Sequence, residues 1–405
     1  MTNVTSKTDN HPVKQVRLLA IVTAICLMGD SMLYIALPIF WEEVGLRSLW
    51  DVGLLLAINR LVRLPLSPFV GWLYTRMNIR FGLLLSITLA TMTTLSYGLL
   101  TGFAWWIVMR SLWGVAWTFL RIGSYLMILE LSDDTNRGNY YGMYTGIYRL
   151  GSLCGVLFGG ICADLFGLRP VAIILGLLTL VSYPIVIFRT PNATPVQQST
   201  NSEKTSFTGT MKFIRERKDL FYLIVTGLLV AMMCEGMFTS TLSFLIETHY
   251  ASLVVFGIAV GASSAAGFLQ AMRWAWGPWM SPWFGKQFDL SSNRRRVLWV
   301  SLIVVGMMFA VIPFPLPIYV WILVVIGIMM MSTLLATLMD ALVTEQASTT
   351  SKVLVITMYT LALDIGSAIG PIIGFSMNVH IVYWICACIL GLMALFWLNR
   401  QSVRL

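Results

Sequence analysis

The sequence predicts an all-α membrane protein with twelve transmembrane helices arranged in two pseudo-symmetric bundles of six. The first observation is composition: 58% of the residues are hydrophobic and only 11% are charged, with a mean hydropathy of +0.80. Such a chain is far more apolar than a soluble domain. The second is a series of apolar stretches of bilayer length, and the third is a motif that occurs twice.

Twelve apolar stretches are long enough to span a bilayer as helices. They are residues 17–41, 50–73, 81–101, 104–129, 139–164, 170–188, 219–246, 255–283, 296–314, 317–342, 353–377 and 380–399. The first is too long for a signal-peptide core and contains Asp30, so we expect it to be retained. A polar segment, residues 190–218, predicts a linker between an N-terminal bundle (1–189) and a C-terminal bundle (219–405).

The duplicated motif reads MYT-x5-GS-x2-G-x3-G and occupies residues 143–159 and 358–374. Glycine at every fourth position gives a helix one face without side chains, which favours close helix packing. Arg149 in the first copy stands where Asp364 stands in the second. Ionisable residues are costly within a membrane and are functional candidates by default. The repeat therefore predicts that one membrane-embedded unit was used twice, with opposite charges at one equivalent position.

The net charge of +9 is explained by the way basic residues are distributed between the two sides of the membrane. Lys and Arg concentrate in alternate loops and at both ends, whereas the opposite loops contain only Arg47 and Arg169. Under the positive-inside rule, both termini and the 190–218 linker are predicted to be cytoplasmic. We therefore expect no nucleic-acid partner.

Several classes of chemistry are not indicated. The six cysteines lie in apolar segments without paired loop spacing, which favours free thiols. The three histidines have no metal-ligand spacing, and no phosphate loop, nucleophile elbow or nucleotide fingerprint is present. The sequence thus predicts no metal, no cofactor, no enzymatic activity and no ATP-driven pumping.

Three motifs follow recognisable patterns, and the first lies at the end of the second predicted helix. The run from Gly71 to Arg80 matches G-x-x-x-D-R-x-G-R-[RK] at Gly71, Arg76 and Arg80, with Thr75 in place of the acid. The second half has an acid at the corresponding place, Asp289.

The other two motifs lie within helices. Arg110 is followed four positions later by glycine, and the pattern G-x8-G-x3-G-P-x2-G matches Gly142, Gly151, Gly155 and Gly159. Valine replaces its proline in the first half, but the second-half copy has Gly370-Pro371.

Together these motifs resemble the major facilitator superfamily, particularly its twelve-helix proton-coupled drug and metabolite exporters. The resemblance implies that fold, a role for Arg110 in proton coupling, and export rather than uptake. It also implies that helix five packs near helix one and helix eleven near helix two. From that arrangement we expect Asp30 to pair with Arg149, and Asp364 with Arg60 or Arg63. The residues to which we assign gating are Arg60, Arg63, Asp364, Gly71, Arg76, Asp289, Gly151, Gly155, Gly159, Gly366, Gly370 and Pro371.

Substrate contact is predicted on helix four, where Arg110, Trp113, Trp117 and Arg121 share one face. A basic and aromatic stripe suits a substrate with a negative charge and a ring or apolar body. The alternative is that the tryptophans are packing and Arg121 reaches the interface. The full predicted substrate-binding set is Arg110, Trp113, Trp117, Arg149 and Arg273.

Proton coupling is predicted at Asp30 and Glu235, together with Arg110. Both acids lie about midway along the first helix of their half. Burial of a carboxylate favours its protonated form, so such a group can take up and release a proton. The alternative is a permanent ion pair that only fixes the register of the helices.

The sequence therefore predicts a monomeric, multi-pass secondary transporter of the bacterial cytoplasmic membrane. It would export a small organic molecule in exchange for protons by alternating access. Six arginines within the spans outnumber Asp30, Glu235 and Asp364, which favours an anionic or zwitterionic metabolite, siderophore or drug. A proton-coupled symporter importing an organic anion is the alternative, and a non-transporting receptor or assembly partner is a remote one.

Overall fold

The computed structural model describes residues 10–133, 136–189, 218–250, 253–255, 258–290, 294–346 and 352–402. The first half contains α1 (Asn10–Ala36), α2 (Leu49–Tyr74), α3 (Ile79–Leu99), α4 (Phe103–Leu131), α5 (Arg137–Phe166), α6 (Leu168–Thr179) and α7 (Ser182–Arg189). The second half contains α8 (Lys218–Val230), a π-helical segment (Ala231–Met237), α9 (Phe238–His249), β1 (Leu253–Val255), β2 (Ile258–Val260), α10 (Ala262–Leu290), α11 (Arg294–Val311), α12 (Ile318–Gln346), α13 (Lys352–Gly374) and α14 (Val379–Ser402).

Eleven of the twelve predicted spans lie mainly in helical structure. The eighth, predicted to begin at residue 255, is wrong at its start, because β1 and β2 precede a helix that begins only at Ala262. The sixth is divided into α6 and α7 by a turn at Leu180 and Val181, because Pro184 cannot donate the helical hydrogen bond to Leu180. The seventh contains the π-helical segment, which the hydrophobic pattern does not predict. Within the described residues, ten helical spans are long and apolar enough to cross a membrane. The helices α10 and α11 are outside that set, and α11 begins with three arginines.

The chain divides into two compact units. The first comprises Met1–Asp51, Ile58–Thr200 and Ile258–Ala271, and the second comprises Val52–Ala57, Asn201–Gly257 and Met272–Leu405. The linker expected at 190–218 lies outside the described residues except for Lys218. The predicted domain boundaries therefore stay a prediction.

Glycines bring α5 against α1 in the first unit. A Cβ added at Gly151 would overlap the backbone of Ala24, and one added at Gly155 would overlap Met28. One turn further, a Cβ at Gly159 would lie 2.7 Å from the side chain of Met32. The i, i+4 glycines thus form the close-packing face that the sequence predicts.

The second copy of the motif packs in the same way in the second unit. A Cβ at Gly366 would overlap the Leu228 carbonyl of α8, and one at Gly370 would overlap the Met232 carbonyl in the π-helical segment. A Cβ added at Gly374 would lie 2.7 Å from the side-chain methyl group of Thr241 in α9. The repeat therefore sets the same helix contact twice, between the first and fifth helix of each half.

Candidate functional site

A buried carboxylate joins three helices of the first unit. Arg110 of α4 donates to the Oδ1 atom of Asp30 in α1 and forms an ion pair with it. Asn59 of α2 donates to the same oxygen at 3.1 Å. Arg110 is 0% exposed and Asp30 is 6% exposed. A charged pair is tolerated at such depth only because each charge is compensated by the other and by hydrogen bonds.

Tyr34 lies one helical turn beyond Asp30 and contacts two arginines. The Arg60 Nε atom donates to its hydroxyl at 3.1 Å, and the Arg60 Cζ atom is 5.4 Å from the ring centroid. The Arg110 Cζ atom is 6.0 Å from the same ring. Asp30, Tyr34, Asn59, Arg60 and Arg110 form what we call the Asp30 cluster. The cluster contains two guanidinium groups and one carboxylate.

The expected pairing of Asp30 with Arg149 is wrong, because the acid pairs with Arg110. The reason is helix rotation. The face of α5 that meets α1 is marked by Gly151, and two residues correspond to roughly 200° around an α-helix. Arg149 consequently points away from α1 and is exposed. Asp364, also two residues before its glycine, is exposed as well; its predicted pairing with Arg60 or Arg63 stays a prediction.

A second ion pair lies in the second unit. Arg273 of α10 donates to the Oε1 atom of Glu235 and also lies 3.3 Å from the Thr239 hydroxyl. The side chain of Glu235 is 38% exposed. Glu235 belongs to the π-helical segment, a geometry that is frequent at functional sites. Both halves thus place an acid of their first helix against an arginine.

Both tryptophans of the helix-four stripe are buried. Trp113 is 1% exposed and Trp117 is 8% exposed, and both belong to the hydrophobic core of the first unit, which favours the packing interpretation for both rings. Trp117 lies under the Arg63 guanidinium, at 5.5 Å, and meets the Tyr148 ring edge-on at 6.0 Å. Substrate contact by either tryptophan stays a prediction.

The gating candidates lie in different surroundings. Arg76 stacks on the Trp72 ring at 4.2 Å, and Thr75, where the family motif has an acid, donates its hydroxyl to the Trp72 carbonyl at 2.7 Å. A Cβ at Gly71 would meet nothing within 4 Å. The side chain of Asp289 lies outside the described residues.

In the second unit, a Cβ added at Gly53 of α2 would lie 2.6 Å from the Pro371 carbonyl of α13. This close approach agrees with the expected contact between helices two and eleven. The gating roles themselves stay predictions.

Sequence reasoning missed three polar residues. Tyr34 and Asn59 complete the Asp30 cluster; the amide in the apolar run of α2 was a signal that could have pointed to Asn59. Asp164 of α5 accepts hydrogen bonds from the backbone N–H and the hydroxyl of Ser264, both at 2.6 Å, within the first unit. The carboxylate therefore caps the first turn of α10 from another helix.

Among the residues described, no group of three or more His, Cys, Asp or Glu side chains could hold a metal ion. The polar contacts of the candidate site are ion pairs and cation–π contacts. A duplicated helical fold with charged residues inside its spans is the build of several membrane transporter folds.

The chain belongs to the Major Facilitator Superfamily, whose profile matches residues 19–371. It is 28% identical to the multidrug resistance protein MdtG of Proteus mirabilis over 176 residues, or 42% of this chain and 43% of that protein. It is 27% identical to the human synaptic vesicular amine transporter over 139 residues, or 34% of this chain and 27% of that protein. The chain thus spans less than half the length of these relatives.

Solved structures show the same fold. A bacterial homologue of the human lysosomal transporter Spinster, in an inward-facing and occupied conformation, has a TM-score of 0.76 with 15% identity and covers 98% of both chains. A transporter of the POT family in complex with a thioalcohol-conjugated peptide has a TM-score of 0.72 with 11% identity and covers 96% of both chains. At such identities the likeness concerns the fold alone.

Proposed function

We propose that this protein exports a small zwitterionic or anionic organic molecule in exchange for protons, by alternating access across the bacterial cytoplasmic membrane with both termini inside. The observation that carries the proposal is the buried contact between Asp30 and Arg110. A carboxylate that already balances one arginine can exchange its partner for a proton, and that exchange changes the charge of the whole cluster.

Antiport requires that proton and substrate exclude each other. A cationic group of a zwitterion competes directly with a proton for the carboxylate of Asp30, while its anionic group is attracted by Arg60. The two arginines of the cluster make a purely cationic substrate less favourable. Similarity to relatives named as a multidrug resistance protein and an amine transporter supports the transport of small organic molecules.

Glu235 is the second proton-exchange candidate. Its side chain is more exposed than that of Asp30, so water reaches it more readily. Its partner Arg273, which we also assign to substrate contact, would be released when Glu235 is protonated. Two such pairs, one in each half, would allow protonation to alternate with substrate binding.

Symport of an organic anion is the second candidate, and the same ion pair favours it. Protonation of Asp30 would leave Arg110 without its counter-ion, so that an anion could bind while the proton is present. Proton and substrate would then move in the same direction.

The direction of proton flow distinguishes antiport from symport. Purified protein is reconstituted into liposomes containing a pH-sensitive dye, and candidate metabolites from culture medium are added outside. Antiport predicts that substrate uptake expels protons from the lumen, whereas symport acidifies the lumen. Asp30→Asn should abolish the proton signal, and Glu42→Gln, an exposed acid in the loop after α1, should not. A full signal in Asp30→Asn would refute the coupling role.

A further inference from the structure

Five aromatic rings form a continuous series on α4 and α5 of the first unit. Trp117 meets Tyr148 at 6.0 Å, Tyr148 meets Tyr144 at 5.2 Å, Tyr144 meets Tyr125 at 5.9 Å, and Tyr125 meets Tyr141 at 5.2 Å. All four contacts are edge-to-face, the arrangement that aromatic quadrupoles favour. We call this series the tyrosine ladder.

Hydrogen bonds and burial hold one side of the ladder in place. The Tyr144 ring is fully buried, and its hydroxyl is 3.2 Å from that of Thr23 in α1. The Tyr141 hydroxyl donates to the Tyr125 carbonyl at 3.2 Å. Tyr125, Tyr141 and Tyr148 are only partly buried, so the ladder has one anchored side and one accessible side.

Arginines accompany the accessible side. Arg63 lies over Trp117 at 5.5 Å and Arg121 over Tyr125 at 5.7 Å. Arg121 and Arg149 are both exposed although they belong to helices long and apolar enough to span a membrane. Charged side chains at such positions face water-filled space rather than hydrocarbon. The ladder therefore borders an aqueous path.

On α4, the ladder residue Tyr125 lies far from Arg110 of the Asp30 cluster. Tyr125 follows Arg110 by fifteen positions, which corresponds to about 22 Å of helix at 1.5 Å per residue. Tyr141 lies near the start of α5, at the end that the distribution of basic residues predicts to be cytoplasmic. The ladder thus extends from the depth of Trp117 toward the cytoplasm.

We propose that the tyrosine ladder is a second binding site, which takes the aromatic and anionic part of the substrate before the substrate reaches the Asp30 cluster. This inference rests on the proposed function and narrows the substrate class to organic molecules that carry both an aromatic ring and a carboxylate or similar anion. The tyrosine and tryptophan rings stack on the aryl group, and the arginines bind the anion by charge-assisted hydrogen bonds. An aliphatic anion lacks the first interaction, and an aromatic cation is repelled by the second.

Equilibrium dialysis with purified protein in lipid nanodiscs tests this inference, with empty nanodiscs as the blank. The probes are 2-naphthoate, cyclohexanecarboxylate and 2-naphthylmethylammonium. We expect 2-naphthoate to bind roughly tenfold more tightly than either of the others, the ratio that corresponds to one stacking or charged contact. Absence of saturable 2-naphthoate binding, or equal binding of all three probes, would overturn the proposal.

Matched variants locate the site. Tyr148→Leu and Arg121→Gln should each weaken 2-naphthoate binding roughly tenfold. The same substitutions elsewhere, Tyr319→Leu in α12 and Arg47→Gln in the loop before α2, should leave it unchanged. Unaltered binding in both ladder variants would overturn the proposal, and a fluorescence-detected elution profile checks that each variant is folded.

Asp30→Asn separates this inference from the proposed function. Loss of proton-coupled transport with intact 2-naphthoate binding supports both. Intact coupling in Asp30→Asn, together with weakened binding in Tyr148→Leu, refutes the coupling role and leaves the ladder standing. If Asp30→Asn removes 2-naphthoate binding and the ladder variants do not, the probe binds at the Asp30 cluster and the ladder is not a site.

Discussion

Tyr34 lies between Arg60 and Arg110, with its ring centroid 5.4 Å from one guanidinium carbon and 6.0 Å from the other. Its hydroxyl accepts a hydrogen bond from Arg60, while Arg110 is held by Asp30. One aromatic ring therefore separates two like charges and contributes an electron-rich face to both. The two arginines can share a small buried volume because of that ring and the carboxylate.

Replacing Tyr34 should separate the contribution of its hydroxyl group to stability from the contribution of its ring. Tyr34→Phe keeps the ring and loses the hydrogen bond from Arg60, so we expect a small loss of thermal stability, on the order of 1 kcal/mol. Tyr34→Leu removes the ring as well and should cost more, since each cation–π contact contributes about 0.5–2 kcal/mol. Thermal unfolding in detergent measures both. Equal melting temperatures for the two variants would show that the ring does not screen the arginines.

The Asp30–Arg110 pair predicts a non-additive result. Asp30→Asn leaves a fully buried arginine without its counter-charge, which typically costs about 3–5 kcal/mol. Removing both charges in Asp30→Asn/Arg110→Leu should be less destabilising than the single change, because no uncompensated charge remains. Proton-coupled transport should be lost in both. A double variant that is less stable than Asp30→Asn would contradict a direct pair energy as the origin of the loss.

The glycine face of α5 predicts opposite effects for the same substitution at two positions. Gly155→Ala should be destabilising by about 1–3 kcal/mol, because the new Cβ would overlap the backbone of Met28 in α1. Gly146→Ala, in the same helix, meets nothing within 4 Å and should be neutral or stabilising by up to about 1 kcal/mol, since alanine favours the helix. Melting temperatures that shift in the same direction would argue against backbone contact at Gly155.

Glu235 should matter for coupling more than for stability. Its side chain is 38% exposed, and ion pairs accessible to water contribute little, about 0–1 kcal/mol. Glu235→Gln retains a hydrogen-bond acceptor for Arg273 but cannot exchange a proton. We expect a near-unchanged melting temperature and a reduced proton signal in liposomes. Glu247→Gln, an exposed acid on the same span, is the matched control; an equal loss of signal there would remove the special role of Glu235.

Asp164 should stabilise the first turn of α10. Asp164→Ala removes the acceptor for the Ser264 N–H and hydroxyl, and loss of a helix cap costs about 1 kcal/mol. Compared with the unmodified protein, the variant should therefore show faster hydrogen–deuterium exchange in residues 262–266. Exchange in the middle of α4, the control segment, should not change. Unchanged exchange in residues 262–266 would mean that the cap is not needed to hold the turn.

Much of the architecture follows from the sequence because its causes are local. The length of each apolar stretch predicts a spanning helix, and glycine at every fourth position predicts a close-packing face. The contacts of Gly151 and Gly366 agree with the second expectation. For the first, ten helices among the described residues are long and apolar enough to span a membrane. The π-helical segment at Ala231–Met237 was not predictable in this way, since it adds no break to the hydrophobic pattern.

By itself, the sequence determined that this chain is a duplicated helical membrane protein, and it marked Asp30, Arg110, Glu235 and Arg273 as ions that need compensation. Only the tertiary structure decided which ions meet. Asp30 and Arg110 are 80 positions apart, and their pairing depends on how α1 and α4 are rotated, as does the outward direction of Arg149. A rotation of one helix by half a turn exchanges an ion partner for a lipid or water neighbour, and no composition or motif spacing records that angle.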